Sequence, residues 1–422
     1  MSTLDHSFHP VRRDPVPDPV CYEKSIYQKG LNYERPPFTF LSSNWESRAS
    51  DVLSATSKGY LIGNAGTGET ARKNTDAFKK WSIVPKRLLQ TKGLPALQTT
   101  IFGEELQFPI AAAPVGVQRI FHPDGEEAAA RAAAENSIPY ILSTASSTSI
   151  EDVAKANGTG VRWFQLYWPD NEFSDITISM LNRAKKAGYT ALVVTLDTYI
   201  LGWRPSDMDN GYNPFLRSDQ IGTAIGLTDQ VFRRMFKEEH GVECEEKLSE
   251  AAATWARMIF PGQSHSWEDV KILQAHWDGP VILKGIQSVE DARMAAQIGV
   301  QGIVVSNHGG RQVDGGVSSL GVLPRIVDAV RACGGNDKIE ILFDSGVRCG
   351  ADIAKALALG ADMVLVGRPY IYGLALGGQA GVGHILKSLL GELELTLHLA
   401  GISSVDKEHL NRDVLVKEAD LF

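Results

Sequence analysis

The chain has 422 residues, 43% hydrophobic and 22% charged, an ordinary composition for one large folded unit with additions. Its net charge of −8 argues against a phosphate-backbone partner, since nucleic-acid binders usually carry a basic face. No apolar run reaches the roughly 18 residues of a membrane span, so no membrane partner is expected.

In chain order, the first twenty residues (MSTLDHSFHPVRRDPVPDPV) lack the apolar stretch of a signal peptide and read as a tail. The C-terminal Ala-Asp-Leu-Phe is not the peroxisomal Ser-Lys-Leu signal, which leaves the cytoplasm as the expected compartment. Cys21, Cys244, Cys333 and Cys349 are scattered, with no CxxC pair, and read as reduced thiols without a metal. Residues 1–107 form an N-terminal extension, largely helical and irregular. Within it Gly63–Thr70 (GNAGTGET) imitates a nucleotide P-loop. Glu69 stands where the phosphate-binding lysine belongs, and no strand precedes the segment, so it is not a phosphate site.

From residue 108 a rhythm begins: a short β-rich run, a polar turn, a helical pattern. The runs are FPIAAAPVG (108–116), PYILS (139–143), RWFQLY (162–167), ALVVTLD (191–197), PVILKG (280–285), GIVVSN (302–307), IEILFDSG (339–346) and MVLVGRP (363–369). Most are unbroken and rich in Val, Ile and Leu, as parallel strands buried on both faces require. Helical patterns such as 124–137 and 288–299 lie between them. Eight such units predict a (β/α)8 TIM barrel over 108–400, followed by a C-terminal tail over 401–422. An open doubly wound sheet is the alternative, because strand count alone does not close a barrel. Residues 198–265 interrupt the rhythm between strand four and its expected helix (266–277). A connection that long fits a lid over an active site. A helix over 381–400 is expected to pack outside the barrel.

In such barrels the catalytic residues sit at the C-terminal ends of the strands. After strand six comes Ser306-Asn307-His308-Gly309-Gly310-Arg311-Gln312. An imidazole suits general-base work near neutrality, a guanidinium can clamp a carboxylate, and the glycines allow close approach of a flat ligand. A structural His in a glycine-rich turn is the plainer alternative. Strand four ends in Thr195 and Asp197, then Gly202-Trp203-Arg204-Pro205, offering a carboxylate to support an imidazolium and a second carboxylate anchor; a helix-capping Asp and a surface Arg fit the same letters. Lys284 closes strand five. Strands seven and eight end in Asp344-Ser345-Gly346-Val347-Arg348 and Gly367-Arg368-Pro369, loops that hold phosphate in many barrels.

These motifs, with FQLYWP (164–169), TLDTYILGWRPSD (195–207), NPFL (213–216), ILKGIQ (282–287), LFDSGVRCG (342–350) and VGRPY (366–370), resemble the FMN-dependent 2-hydroxy acid oxidase family from about Tyr60 to Gly401. Within it, GWRP, NPFL and the long strand-four loop resemble the lactate monooxygenase branch. The resemblance implies FMN as cofactor, a small (S)-2-hydroxy acid and O2 as substrates, and a homo-oligomer (tetramer or octamer). It implies that His308 is the base for the C2 hydroxyl, supported by Asp197. Arg204 and Arg311 would hold the substrate carboxylate, while Tyr60 and Tyr167 hydrogen-bond substrate oxygens. Lys284 would lie beside the flavin N1/C2 carbonyl. Pro114, Val115, Gly116, Ser143, Gln165, Thr195 and Ser306 would line the isoalloxazine, and Asp344, Gly346, Arg348, Gly367 and Arg368 would hold ribityl and phosphate. That branch implies oxidative decarboxylation, in which a retained keto acid gives the acid one carbon shorter, CO2 and water. The alternatives are an oxidase that releases 2-keto acid and peroxide, or a dehydrogenase using another acceptor, possibly on a larger substrate. Gly116 stands where plant-type members carry Ala. Ala145 stands where relatives place Trp or Leu over the substrate, so the pocket gains room unless Trp203 or Tyr212 fills it.

Overall fold

The apolar runs form eight strands: β1 (Ile110–Ala112), β2 (Tyr140–Ser143), β3 (Arg162–Tyr167), β4 (Ala191–Thr195), β5 (Val281–Ile286), β6 (Gly302–Val305), β7 (Glu340–Phe343) and β8 (Met363–Val366). In the computed structural model, which describes residues 18–89, 93–216, 221–333 and 339–422, they close into a barrel in the order β7-β8-β1-β2-β3-β4-β5-β6. All pairings are parallel, which settles the choice between barrel and open sheet. A helix follows each strand: α1 (Gly125–Glu135), α2 (Ile150–Asn157), α3 (Ser174–Lys186), α4 (Val270–His276), α5 (Val289–Gln297), α6 (Ser319–Ala332), α7 (Gly350–Ala358) and α8 (Arg368–Ala400). No described helix is long and apolar enough to cross a membrane.

Side chains alternate along a strand, so every second residue enters the barrel. The inner apolar cluster holds Ala111, Ile141, Trp163, Val193, Ile282, Val304 and Leu342. Two residues further along, the same faces carry Ser143, Gln165, Thr195, Lys284, Ser306 and Asp344. The interior thus changes from apolar to polar toward the C-terminal mouth. At the other mouth the hairpin Thr99–Ile101/Glu104–Leu106 forms a floor, with Phe102 edge-on to Trp163 at 5.7 Å. One end is plugged with apolar atoms, and the polar layer faces the other.

Several elements depart from expectation. The N-terminal extension contains strands: besides the hairpin, Trp81–Ile83 pairs antiparallel with Leu415–Lys417 near the C-terminus. Three-residue strands are too short to show a period-two pattern. Residues 198–265 hold helices at Pro205–Asp209, Ala224–Leu227, Gln230–His240 and Leu248–Ile259. α4 starts at Val270 rather than 266, because Asp269 accepts from the Ser266 backbone N–H and hydroxyl in a tight turn before it. The final helical pattern begins at Arg368, with a break at Gly377–Gly378. None of the four cysteines is in a disulfide. Most of the expected N-terminal tail, residues 1–17, lies outside the described residues.

Candidate active site

His308 follows β6 in a left-handed run: its φ is +58°, and Gly309 and Gly310 follow at +65° and +75°. For a residue with a Cβ this costs on the order of 1–2 kcal/mol, and such strain gathers at functional sites. A Cβ on Gly310 would lie 2.6 Å from the Ala71 nitrogen, so only glycine lets the turn pass beneath the N-terminal segment. The turn is held by Ser306, whose Oγ accepts from the His308 N–H at 3.1 Å and from Lys284 Nζ at 3.0 Å.

His308 Nδ1 lies 2.7 Å from Asp197 Oδ1. That bond places the ring proton on Nδ1 and leaves Nε2 as the lone-pair nitrogen. Burial holds the imidazole below its ordinary pKa of 6.5; Asp197 opposes the shift and Lys284 adds to it. The ring is therefore neutral, hence basic, at neutral pH. Burial alone would raise the Asp197 carboxyl, but His308 and Lys284 outweigh it and hold it well below the usual carboxylate range. Lys284, 3% exposed, sits 3.8 Å from Asp197 and 3.5 Å from Asp344. Burial disfavours its charge, yet the two carboxylates raise its pKa above 10.5, so it stays cationic.

Arg204 and Arg311 flank the histidine. Arg204 donates from Nη2 to Gln312 Oε1 at 2.9 Å and from Nε to the Arg311 carbonyl at 3.3 Å. Arg311 donates from Nη1 to the carbonyls of Tyr60 (2.6 Å) and Gly63 (2.8 Å) and lies 4.8 Å above the Tyr60 ring. Neither makes a salt bridge among the described residues, and each keeps one terminal nitrogen without a hydrogen-bond acceptor. Burial, then the neighbouring charges of Arg204 and Arg368, push Arg311 down to about 9. Asp207 acts on both arginines without forming a salt bridge, and the terminal nitrogens left over suit a carboxylate ligand. Burial raises the Tyr167 hydroxyl well above its ordinary range, so it acts as a neutral donor.

These groups surround one cavity at the C-terminal mouth of the barrel. Tyr60, Tyr167, Arg204, Arg311 and His308 line it. Pro114, Val115 and Gly116 form an apolar wall, with Lys284 opposite; Asp344, Gly346, Arg348, Gly367 and Arg368 line the remainder. Ser143, Gln165, Thr195, Ser306 and Asp197 stand one layer behind. Ser143 Oγ donates to Gln165 Oε1 at 2.9 Å, and Gln165 Nε2 donates to Thr195 Oγ1 at 2.8 Å. Every residue named from the sequence is thus at this mouth. The donor set fits FMN: a buried cation beside an apolar slot for the ring, and arginines at the ends of β7 and β8. The two arginines differ. Arg368 is committed on Nε, Nη1 and Nη2 to Leu61, Gly309, Gly63 and Asn64, whereas Arg348 leaves Nε and Nη2 without a protein acceptor. Arg348 thus keeps donors free for a ligand, whereas Arg368 fastens the N-terminal segment to the mouth.

Several parts of the site carry no motif in the sequence. Thr198 Oγ1 donates to Asp197 Oδ1 at 2.6 Å and lies 3.0 Å from His308 Nδ1. Gln312 clasps the insertion through Asp197 O and Ile200 O while accepting from Arg204. The P-loop lookalike follows a helix, Ala55–Ile62, and supplies carbonyls to Arg311 and Arg368. Leu201, Phe215 and Phe260 of the insertion also line the cavity. Trp203 and Tyr212 do not fill the space over Ala145: Trp203 is 72% exposed, and Tyr212 packs edge-on against Tyr60 outside the lining.

Comparison with known proteins places this arrangement. The family model described as FMN-dependent dehydrogenase matches residues 49–417. An FMN-dependent alpha-hydroxy acid dehydrogenase of Schizosaccharomyces pombe is 61% identical over 95% of this chain and 97% of its own length. An L-lactate oxidase of Lysinibacillus sphaericus is 40% identical over 90% of this chain and 94% of its own. The crystal structure of a mandelate oxidase superposes with a TM-score of 0.74 at 38% identity, covering 87% of this chain and 96% of that one. The chain belongs to the FMN-dependent dehydrogenase family and is an FMN-dependent 2-hydroxy acid oxidoreductase.

Proposed function

We propose that the protein oxidises the C2 carbon of a small (S)-2-hydroxy acid and passes the electrons to O2. The observation that carries this is the neutral His308, oriented by a charged Asp197 at 2.7 Å, beside two arginines that form no salt bridge among the described residues. Arg204 and Arg311 bind the substrate carboxylate, and Tyr60 and Tyr167 donate to its oxygens. His308 Nε2 takes the C2 hydroxyl proton, and Asp197 stabilises the imidazolium that results. FMN, when bound, supplies the two-electron acceptor for the hydride released as the C2–H bond breaks and the C2 carbonyl forms. Lys284 would stabilise negative charge on that acceptor. The keto acid leaves, O2 takes up the two electrons and two protons, and the products are 2-keto acid and hydrogen peroxide.

A second outcome, oxidative decarboxylation to the acid one carbon shorter with CO2 and water, is favoured by Leu201, Arg204, Phe215 and Phe260. All four come from the insertion and line the cavity, which supports product retention. Anaerobic mixing of the yellow protein with a panel of 2-hydroxy acids tests the reading: flavin bleaching by at least one acid is expected, and bleaching by none contradicts it. Product analysis after air is admitted separates keto acid plus peroxide from the shortened acid plus CO2.

A further inference from the structure

The substrate end contains an anomaly. Ala145, 2% exposed, offers a methyl group where a cavity wall is needed, and the backbone crowds in from one side. A Cβ on Gly116 would lie 2.7 Å from the Ala145 carbonyl oxygen and 2.9 Å from its Cβ, so the segments after β1 and β2 are already in contact there. The bulk comes instead from the insertion. Phe215, 2% exposed, packs in one apolar cluster with Ala145, Val117 and Ala256. Its ring lies 5.1 Å from Phe260, and Phe260 lies 5.0 Å from Tyr167 on β3. An aromatic row thus runs from the barrel to a ring in the apolar cluster that holds Ala145. The Phe215 N–H is fixed by Asn213 Oδ1 at 3.0 Å, which sets the backbone that delivers the ring.

We propose that Phe215 is the specificity-determining wall for the substrate side chain, standing in for the large barrel residue that Ala145 is not. The inference rests on reading the site as a 2-hydroxy acid oxidising centre. Ala145, Leu201, Phe215 and Phe260 bring no charge to this end of the cavity, so the site takes 2-hydroxy acids with an apolar, uncharged side chain and rejects those with a second carboxylate. Phe215 and Ala145 belong to one apolar cluster and line one cavity, so their substitutions should be coupled.

The test compares anaerobic flavin reduction by lactate, 2-hydroxybutyrate, 2-hydroxyisocaproate and malate in the wild type, Phe215→Ala, Ala145→Leu and the double variant. FMN content and Tm serve as folding controls. Each buried methylene is worth about fourfold in affinity, so Phe215→Ala should raise the preference for 2-hydroxyisocaproate over lactate by about tenfold or more. Ala145→Leu alone should slow reduction by every acid, and adding Phe215→Ala should restore lactate to within about threefold of wild type. If Phe215→Ala does not hold FMN, Phe215→Leu should move the preference the same way by a smaller factor. An unchanged preference in a yellow, substrate-reducible variant overturns the proposal, as do independent effects of the two substitutions or efficient reduction by malate. A wild-type protein that no acid reduces overturns the underlying reading instead.

Discussion

The barrel mouth and the insertion contribute to one cavity in different ways. The barrel supplies groups fixed by strand ends and by one another: His308 on Asp197, Lys284 between two carboxylates, and Ser143, Gln165 and Thr195 in a hydrogen-bonded row. The insertion supplies surfaces, Leu201, Phe215 and Phe260, and one charge, Arg204, held through Gln312. Charged groups with shifted pKa values need rigid partners within hydrogen-bond reach, which parallel strands provide. An apolar wall needs only shape. Chemistry therefore sits on the barrel, and selectivity can sit on an excursion from it.

Substitutions can break this division at several strengths. The largest effect is expected at the base: His308→Ala should retain FMN yet reduce it on the order of 10²–10⁴ times more slowly with every acid. Stopped-flow bleaching measures this, and an unchanged rate would make His308 structural. Next comes the clamp. Arg204→Met removes a charge-assisted contact worth about 1.5–3 kcal/mol, so KM should rise roughly 10–100-fold while FMN content holds; an unchanged KM removes Arg204 from the carboxylate site.

A pH profile sharpens the same picture. Protonated His308 cannot accept the hydroxyl proton, and its folded pKa lies below 6.5. The rate should hold above that value and fall about tenfold per unit on the acid side of the folded pKa. Asp197 favours the imidazolium, so Asp197→Asn should move the acid limb to still lower pH. A shift toward higher pH would contradict the electrostatics assigned to the pair. The smallest effect is expected at Trp203, whose side chain is 72% exposed: Trp203→Ser should change relative rates across the acids less than about twofold.

The barrel was legible because buried parallel strands write themselves as unbroken apolar runs, and the catalytic motifs sit where those runs end. Position relative to the strands was enough to bring His308, Asp197, Arg311 and Arg348 to one mouth. Assigning FMN needed the family resemblance, since no spacing of residues specifies a flavin. Harder to read were contacts between distant segments. Nothing local shows that Gly63 carries carbonyl contacts to two arginines, or that Gln312 reaches back to residue 200. The space over Ala145 was visible as a missing side chain, but its occupant was not. Trp203 and Tyr212 are larger than Phe215, and only the path of the chain decides which ring turns inward.

The division between barrel chemistry and insertion selectivity is tested most directly by one set of anaerobic flavin-reduction rates, for Asp197→Asn and Phe215→Ala against the same series of 2-hydroxy acids. Asp197→Asn should slow reduction by all acids by a similar factor, leaving their order intact, whereas Phe215→Ala should reorder them in favour of larger side chains. An Asp197→Asn enzyme that reorders the acids, or a Phe215→Ala enzyme that slows them all equally, would contradict the account.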